Sequence, residues 1–323
     1  MTQQLSAPPK KHWRSAAAGM LFVLGASGAP PALAVDWSGI PTTEIVLFYA
    51  GQSSWEWALT QSDHSGNEKF RSGKDCKKCH QTEEKDIGAK IVSGEKLEPD
   101  PIAGKPGSLP VKIQTVHDGA RLYARFEWQA PDPTGTKMDA DTAARVTMML
   151  GDASVKEAAR AGCWGTCHDD MIGMASAPSG GEITKYLAAS RTKITRQGGG
   201  ENYKSAADLQ QFVDTGAYME YWQAKLNPGS PAEPISGYVL DKRHQDEQPV
   251  VEATASNEGG KWTVVLSRKL KMGGKTHKDL EPGKTYYVGF AIHEDYTDHR
   301  FHYISLEHTL SLDQGTADLV AKK

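Results

Sequence analysis

Residues 76–80 read CKKCH, and this short stretch constrains the chain more than any other feature of its sequence. Two thiols separated by two residues, Cys76 and Cys79, followed directly by His80, form the arrangement that covalent attachment of a c-type haem requires. The cysteines form thioethers with the vinyl groups of the porphyrin, and the histidine binds the iron as proximal ligand. The motif therefore predicts a covalently bound haem at this point of the chain.

A wider copy of the motif lies near the middle of the chain. Residues 163–168 read CWGTCH, so three residues separate Cys163 from Cys167, and His168 again follows directly. The two motifs use all four cysteines of the chain. Two disulfides in an oxidising compartment are the alternative, but they explain neither histidine, and the spacing is not that of a zinc finger. We therefore expect a second haem c at this pair.

The N-terminus has the pattern of an export signal. Three basic residues precede a short apolar run, and residues 32–34 read ALA, a small-residue cleavage signature. We expect residues 1–34 to be a secretory signal peptide that is cut before Val35. The mature protein is then periplasmic and keeps no stable membrane span. An uncleaved membrane anchor is the alternative.

The charge balance limits the kinds of partner. Removing the leader takes away three basic residues and no acidic one, which leaves 34 basic against 40 acidic residues, a formal net charge of −6. Nucleic acid is therefore not an expected partner. The sequence also shows no acid–base constellation with the spacing of a nucleophile and its base, which argues against a hydrolase.

A haem iron with two axial ligands needs a second residue besides the motif histidine. His64 is the only histidine between the predicted cleavage site and the first motif, so we expect it to be the distal ligand of the first haem. An exposed loop histidine is the alternative reading of the same residue. For the second haem, His302 shares a strand face with Ile304 and Leu306 and is expected to point inward. There its partner is either iron or the protein backbone.

Most of the chain after the first motif has apolar residues that alternate with a period of two, which predicts β-strands. The predicted strands are residues 111–117, 122–128, 144–150, 250–255, 261–270, 284–293 and 302–312. We expect a mainly β chain, with a β-sandwich over residues 111–323, a small c-haem segment over residues 35–98 and a Pro/Gly-rich linker over residues 99–110. Residues 175–249 are expected to form a partly helical insertion, with helical potential over residues 205–226.

Three stretches of the chain together resemble a known family. They are residues 44–57 (EIVLFYAGQSSWEW), residues 117–128 (HDGARLYARFEW) and residues 302–306 (HYISL). The family they resemble is the haem-binding subunit domain of the ethylbenzene dehydrogenase and dimethyl sulfoxide reductase-like molybdoenzymes, in a diheme c-type variant. The resemblance covers most of the mature chain and implies a β-sandwich that carries a haem and serves as an electron conduit.

The resemblance also implies candidate ligands. In the members with b-type haem, a methionine and a lysine of the sandwich bind the iron. Met148 lies near the first of these positions by strand order, and His302 lies close to the position of the lysine. Cys163, Cys167 and His168 depart from that pattern, because they give a covalent haem its own proximal ligand. This departure favours His168 with His302. The competitors for the distal place are His117, His299, Met174 and Met148.

The expected function is that of a periplasmic diheme c-type cytochrome that transfers single electrons in an anaerobic respiratory or molybdoenzyme-linked chain. Its expected partners are redox proteins: a membrane quinol-oxidising cytochrome, a reductase or a molybdoenzyme. A haem closed by two axial ligands has no open site for a substrate and cycles between Fe(III) and Fe(II). The alternatives are a haem enzyme with one open axial site that reduces peroxide or a nitrogen or sulfur oxide, and a haem subunit of a molybdoenzyme complex.

Overall fold

The computed structural model describes residues 35–53, 55–60, 64–135, 139–168, 185–195, 198–297 and 300–323, and the predicted signal peptide lies outside them. The strands are β1 (Thr43–Tyr49), β2 (Ser108–His117), β3 (Arg121–Gln129), β4 (Ala144–Gly151), β5 (Cys167–His168), β6 (Lys185–Tyr186), β7 (Met219–Leu226), β8 (Glu233–Val239), β9 (Arg243–Gln245), β10 (Glu252–Glu258), β11 (Lys261–Lys269), β12 (Thr285–His293), β13 (Tyr303–Ile304), β14 (His308–Leu312) and β15 (Leu319–Ala321). The α-helices are α1 (Trp55–Thr60), α2 (Asn67–Arg71), α3 (Lys77–His80), α4 (Glu84–Val92), α5 (Lys156–Ala161) and α6 (Ala206–Asp214), and two 3-10 turns span Gly162–Gly165 and Ala188–Ser190. None of the helices in the described ranges combines the length and the apolar character needed to cross a membrane.

Thirteen of the described strands form one sheet. Its order is β10-β11-β3-β2-β1-β13-β12-β4-β7-β8-β9, and β14 pairs with both β12 and β15. Neighbouring strands run antiparallel, except that β14 and β15 run parallel. The chain is therefore mainly β, and the predicted fold class is confirmed.

The sheet folds over so that its two halves enclose one apolar core. Phe126 on β3 and Phe290 on β12 belong to different halves, yet their ring centres lie 5.7 Å apart in an edge-to-face contact. Every second residue of β3 from Leu122 to Trp128 is buried, as expected for a strand with one face on a core. The two halves of the sheet thus pack in the manner of a β-sandwich.

A second apolar cluster, called the outer cluster below, lies on the opposite face of one half of the sheet. Its strand residues alternate with those of the enclosed core: Met149 follows Met148, and Ile304 follows Tyr303. Successive side chains of a strand point to opposite faces, so the two clusters lie on the two sides of these strands. Cys76 and Cys163 both belong to the outer cluster, together with residues of α1, α2 and α5.

Parts of the predicted N-terminal haem segment and of the predicted linker lie in this sheet. β1 lies between β2 and β13, with Phe48 opposite Ile304 and Tyr49 opposite Tyr303. β2 already begins at Ser108, inside the predicted linker. β13 comes from the opposite end of the chain, and a pairing of that kind leaves no local signal in the sequence.

The structure differs most from expectation over residues 175–249. The helical potential is realised only in α6, where the Ser205 hydroxyl caps the helix by accepting a hydrogen bond from the Asp208 amide. β7 and β8 join the main sheet beside β4, so the segment supplies core strands rather than only a covering insertion. β7 is buried on both faces, and a strand of that kind shows no alternation and cannot be told from a buried helix by its pattern.

The predicted strand over residues 302–312 is divided into β13 and β14. Between them, the Ser305 amide donates to the Phe290 carbonyl at 2.9 Å, and the Ser305 hydroxyl accepts from the Phe290 amide at 2.9 Å. The hydroxyl thus takes the place of a backbone acceptor. This local substitution interrupts the ladder of backbone hydrogen bonds directly after β13, the strand that begins one residue after His302.

Candidate functional site

The first motif forms a single helical turn. The amides of Cys79 and His80 both donate hydrogen bonds to the Cys76 carbonyl, at 3.1 and 2.9 Å. Residues three and four apart share one face of a helix, so Cys76, Cys79 and His80 face the same way. Cys76 is buried, Cys79 is exposed and His80 is half-buried.

These three residues line a partly open cavity, called the first cavity below. His64 lies on its wall, with its ring centre 6.1 Å from that of His80 and the two ring planes 30° apart. Two imidazoles that bind one metal ion from opposite sides, through bonds of roughly 2 Å each, have a similar separation. The other lining residues are Ala58, Gly66, Phe70, Lys74, Asp75 and Trp164.

Both histidines of the first cavity interact with the protein in a way that leaves a nitrogen for a metal. His80 Nδ1 lies 3.0 Å from Glu83 Oε2, and the His64 ring packs against the Trp57 ring with the centres 4.8 Å apart. Burial lowers the pKa of His64, and the nearby His80 ring lowers this pKa further. An imidazole oriented through one nitrogen, as His80 is by Glu83, offers the other nitrogen as a ligand.

The second motif has a different local structure. Cys163 lies in the 3-10 turn Gly162–Gly165, and Cys167 and His168 continue as the short strand β5, with Cys167 opposite Tyr186 and His168 opposite Lys185. The second motif, with its extra residue between the cysteines, therefore forms a turn followed by an extended segment. The first motif forms a helical turn instead. The side chains of Cys167 and His168 lie outside what the structure describes.

Cys163 lines a second cavity together with His302. His302 is buried, and its ring stacks on that of His293 with the centres 4.6 Å apart. Two cationic side chains also reach this cavity, and one of them, Arg300, pairs with the buried carboxylate of Glu98. The other lining residues are Ala50, Gly51, Ser53, Trp164, Thr166, Lys185 and Ile304.

The two motifs are joined through the backbone of α5. The Cys76 amide donates a hydrogen bond of 3.0 Å to the carbonyl of Arg160, three residues before Cys163. The Arg160 guanidinium group donates back to the Lys74 carbonyl at 3.0 Å and lies over the Phe70 ring, 4.3 Å from its centre. The end of α5 therefore holds the start of the first motif beside the second.

The described cysteines carry free thiols. Cys76, Cys79 and Cys163 are unbonded, so Cys76 and Cys79 do not form the disulfide that was the alternative reading of their spacing. Burial raises the pKa of the Cys76 thiol well above its usual range, and burial also raises the pKa of the Cys163 thiol. Both sulfurs are therefore protonated thiols at neutral pH.

The competing ligands occupy other places. Both ring nitrogens of His117 are engaged, because Nε2 lies 2.8 Å from Asp313 and Nδ1 accepts from the Gly119 amide at 3.1 Å. Met148 is fully buried in the enclosed core, on the face away from the outer cluster, whereas the sulfur of Met149 lies 3.5 Å from that of Cys163. His299 and Met174 lie outside the described residues.

The donor set of the first cavity fits a covalently attached haem. Two free thiols and His80 lie on one helical face, and a second imidazole, His64, faces His80 across the cavity. At the second cavity the described side chains supply one motif thiol, Cys163, and one imidazole, His302.

Sequence reasoning did not identify Trp164, which lines both cavities, or Arg160, which links the motifs. The sequence could have pointed to Trp164, because this residue lies inside the second motif. The role of Arg160 depends on a contact with residues some 85 positions away, and nothing in its local sequence points to it.

Comparison with known proteins places these features in a family. The chain is 35% identical to cytochrome c-552 of Stutzerimonas stutzeri over 97% of this chain and 99% of that protein. It is 31% identical to cytochrome c-551 of Rhodocyclus tenuis over 90% of this chain and all of that protein. The family model described as ethylbenzene dehydrogenase matches residues 231–305.

Among solved structures, a family 9 carbohydrate-binding module from Caldicellulosiruptor kristjanssonii in complex with cellotriose aligns with a TM-score of 0.28 and 8% identity, over 67% of this chain and 75% of that chain. At that TM-score the likeness carries no argument about fold or function. The relation to the two cytochromes, by contrast, spans nearly the whole sequence. The chain belongs to the family of cytochrome c-552 and cytochrome c-551.

Proposed function

We propose that this protein is a periplasmic c-type cytochrome that carries two covalent haems and passes single electrons between redox proteins. The observation that carries the proposal is that the described chain has two cavities, each lined by a motif cysteine and by a histidine from outside that motif. The family membership supports the same function, since both relatives are named cytochromes c.

At the first cavity, Cys76 and Cys79 would form the thioethers, and His80 and His64 would be the axial ligands. Support comes from the common helical face of the motif residues and from the 6.1 Å separation of the two imidazoles. Haem iron held in this way supplies a one-electron Fe(III)/Fe(II) couple. Glu83 orients His80 through its Nδ1 and makes that imidazole a stronger donor.

At the second cavity, Cys163 and Cys167 would form the thioethers, His168 would be the proximal ligand and His302 the distal one. The support is that Cys163 and His302 share the cavity, and that His168 on β5 lies opposite Lys185 on β6 in the strand pairing. Lys185 is itself a lining residue of the cavity. Arg300, held by Glu98, brings a cation to the wall, which suits the carboxylate groups of a porphyrin.

The residues around both sites keep the ligands in place and limit the access of water. Cys76, Cys163 and His302 are each buried, and Trp164 covers both cavities from one side. With the His64, His80 and His302 imidazoles each in contact with a neighbouring side chain, a change of one charge at the iron would require little movement of the protein. A site of this kind transfers electrons and leaves no position for a substrate.

The N-terminal pattern supports export with cleavage before Val35, after which residues 35–323 form the mature chain. The partners would be redox proteins: a membrane quinol-oxidising cytochrome, a reductase or a molybdoenzyme. Exposed basic side chains, among them Lys69, Lys74 and Lys78, lie within and just before the first motif in the sequence, and Lys74 lines the first cavity, so they offer a docking rim for an acidic partner.

The proposal is tested by the intact mass and the pyridine haemochrome spectrum of protein purified from the periplasm. We expect a chain that starts at Val35 with two haem additions, and a double variant, Cys163→Ala with Cys167→Ala, with one. A wild-type chain with a single haem addition would remove the second site. A colourless chain would contradict the proposal as a whole.

A further inference from the structure

Trp164 lies in the wall shared by the two cavities. Among the described residues it alone lines both the first cavity, with His64 and His80, and the second cavity, with Cys163 and His302. Any group that fills one cavity therefore touches the same indole as a group that fills the other. The residue follows Cys163 directly, so it stands inside the second haem motif without being one of its attachment or ligand positions.

The position of the Trp164 ring is fixed by its surroundings. Its Nε1 donates a hydrogen bond of 3.1 Å to the Ser53 carbonyl, in the segment between β1 and α1. The backbone on its C-terminal side is packed closely, since a Cβ atom at Gly165 would lie 2.6 Å from the Glu157 carbonyl oxygen. The turn therefore has little freedom to move the indole away from the shared wall.

The distance between the cavities is fixed as well. The hydrogen bond from the Cys76 amide to the Arg160 carbonyl ties the first motif to α5, and α5 leads directly into the turn that carries Cys163 and Trp164. The Arg160 side chain adds a hydrogen bond to the Lys74 carbonyl. The two cavities are thus held against one rigid element, which suits a constant electronic coupling between their contents.

We propose that the indole of Trp164 is the bridge through which electrons pass between the two haems. This inference rests on the proposed function, because it requires a haem in each cavity. With a haem in each cavity, the transfer would move one electron from a ferrous to a ferric iron, with no bond made or broken and no proton moved. The indole mediates the transfer and is not itself oxidised.

An aromatic side chain suits this role better than an aliphatic one. The π-system of tryptophan extends over the whole ring, so it couples groups at its two edges, while the ring also fills the wall. A smaller aliphatic side chain would leave a gap without partner atoms, and electron tunnelling decays faster across a gap than through packed atoms. Phenylalanine keeps an aromatic bridge but cannot make the hydrogen bond to Ser53.

The test compares four forms of the diheme holoprotein: wild type, Trp164→Leu, Trp164→Phe and Trp262→Leu. Trp262 is a buried tryptophan on β11, in the enclosed core, and serves as the matched control for loss of an indole. The rate of electron exchange between the haems is measured from the broadening of haem-methyl NMR signals in partly reduced protein, in a dilution series that removes exchange between molecules. Haem number is measured by mass and both potentials by redox titration.

We expect Trp164→Leu to slow the internal exchange by about tenfold or more, because the void interrupts the packed path, with both potentials and both haems retained. Trp164→Phe should keep most of the rate, and Trp262→Leu should leave it unchanged. If Trp164→Leu loses a haem, Trp164→Met takes its place, since methionine fills irregular space without a ring.

Two results would overturn the bridge: an unchanged exchange rate in the aliphatic variant with both haems present, or equal slowing in Trp164→Phe and Trp164→Leu. The second result would assign Trp164 a purely positional role through its hydrogen bond. A wild-type protein with one haem would instead overturn the proposed function, so the two failures are distinguishable by the haem count.

Discussion

Gly289 lies directly beneath the backbone of Cys163: a Cβ atom built on Gly289 would lie 1.9 Å from the Cys163 amide nitrogen. Gly289 is in the middle of β12, and the turn that carries Cys163 rests on this strand at the one residue without a side chain. The second motif is therefore seated on the sheet by a backbone-to-backbone contact that no larger residue allows.

The variant Gly289→Ala should displace this turn. A Cβ at 1.9 Å from backbone cannot be relieved by a side-chain rotation, so we expect the free energy of unfolding to fall by about 1–3 kcal/mol, the usual cost of overpacking. The second haem should be attached in a smaller fraction of the molecules. Urea unfolding and the ratio of one-haem to two-haem masses measure the two effects.

Gly274→Ala is the matched control for Gly289→Ala, because nothing lies within 4 Å of a Cβ built on Gly274. It should leave the free energy of unfolding within about 0.5 kcal/mol of wild type. Equal behaviour of the two variants would show that the contact beneath Cys163 does not seat the motif.

β3, with one face on the core, was predictable from its alternation, whereas β7, with both faces covered, was not. β3 alternates buried and half-buried residues, and its pattern shows directly in the sequence. β7 is buried on both faces, and its Trp222 lies at helical spacing from Tyr218, which directly precedes the strand, so the pattern there indicates a helix as readily as a strand.

The residues of the candidate site were likewise predictable only in part. Cys76, Cys79 and His80 were predictable because one helical turn brings them together, and such a turn depends on local sequence only. The contacts of Trp164 and Arg160 depend on how α5 packs against residues some 85 to 110 positions earlier. Contacts of that range follow from the packing of the whole sheet and have no signature in a single segment.

The axial ligands can be tested one at a time. If His64 and His302 are the distal ligands, His64→Ala should convert one haem, and His302→Ala the other, from a low-spin to a high-spin ferric form, because each iron loses one strong ligand. The visible and electron paramagnetic resonance spectra of the oxidised holoprotein report the spin state of each haem.

His117→Gln is the control for these ligand variants. Both nitrogens of His117 are already hydrogen-bonded to the protein, so the variant should leave both haems low-spin. Low-spin spectra that stay unchanged in both His64→Ala and His302→Ala would show that other residues, such as His299 or Met174, supply the distal ligands.

The reduction potential of the first haem should respond to Glu83. Glu83 Oε2 lies 3.0 Å from His80 Nδ1, and a carboxylate there makes the imidazole a stronger donor that favours Fe(III). Glu83→Gln should therefore raise the potential, by roughly 60 mV if the relative affinity for the two oxidation states changes tenfold. A redox titration followed in the α-band measures this shift.

Glu84→Gln removes the same charge from the neighbouring position without touching the His80 ring, so it isolates the effect of the hydrogen bond from that of net charge. The shift in Glu84→Gln should be clearly smaller. Equal shifts in the two variants would mean that Glu83 acts only as a distant charge.

The stability of the fold should depend on pH through Glu294. This carboxyl group is buried beneath Trp128, whose indole N–H donates to it, and burial raises the pKa of Glu294 to about 7. The folded state therefore holds a proton that the unfolded chain has already lost. The stabilisation from this proton is full below about pH 4.5 and is lost as the pH rises to about 7, a loss of about 3 kcal/mol at most.

Glu294→Gln should make this decline shallower, because glutamine accepts the same indole hydrogen bond and does not titrate. Burial also raises the pKa of Glu307 to about 7, so part of the decline should remain in the variant. Urea unfolding at a series of pH values between about 5 and 8 measures the slope. Glu258→Gln, at an exposed position on β10, should keep the wild-type slope, and an identical slope in Glu294→Gln would show that Glu294 is already ionised in the folded protein at the lower pH.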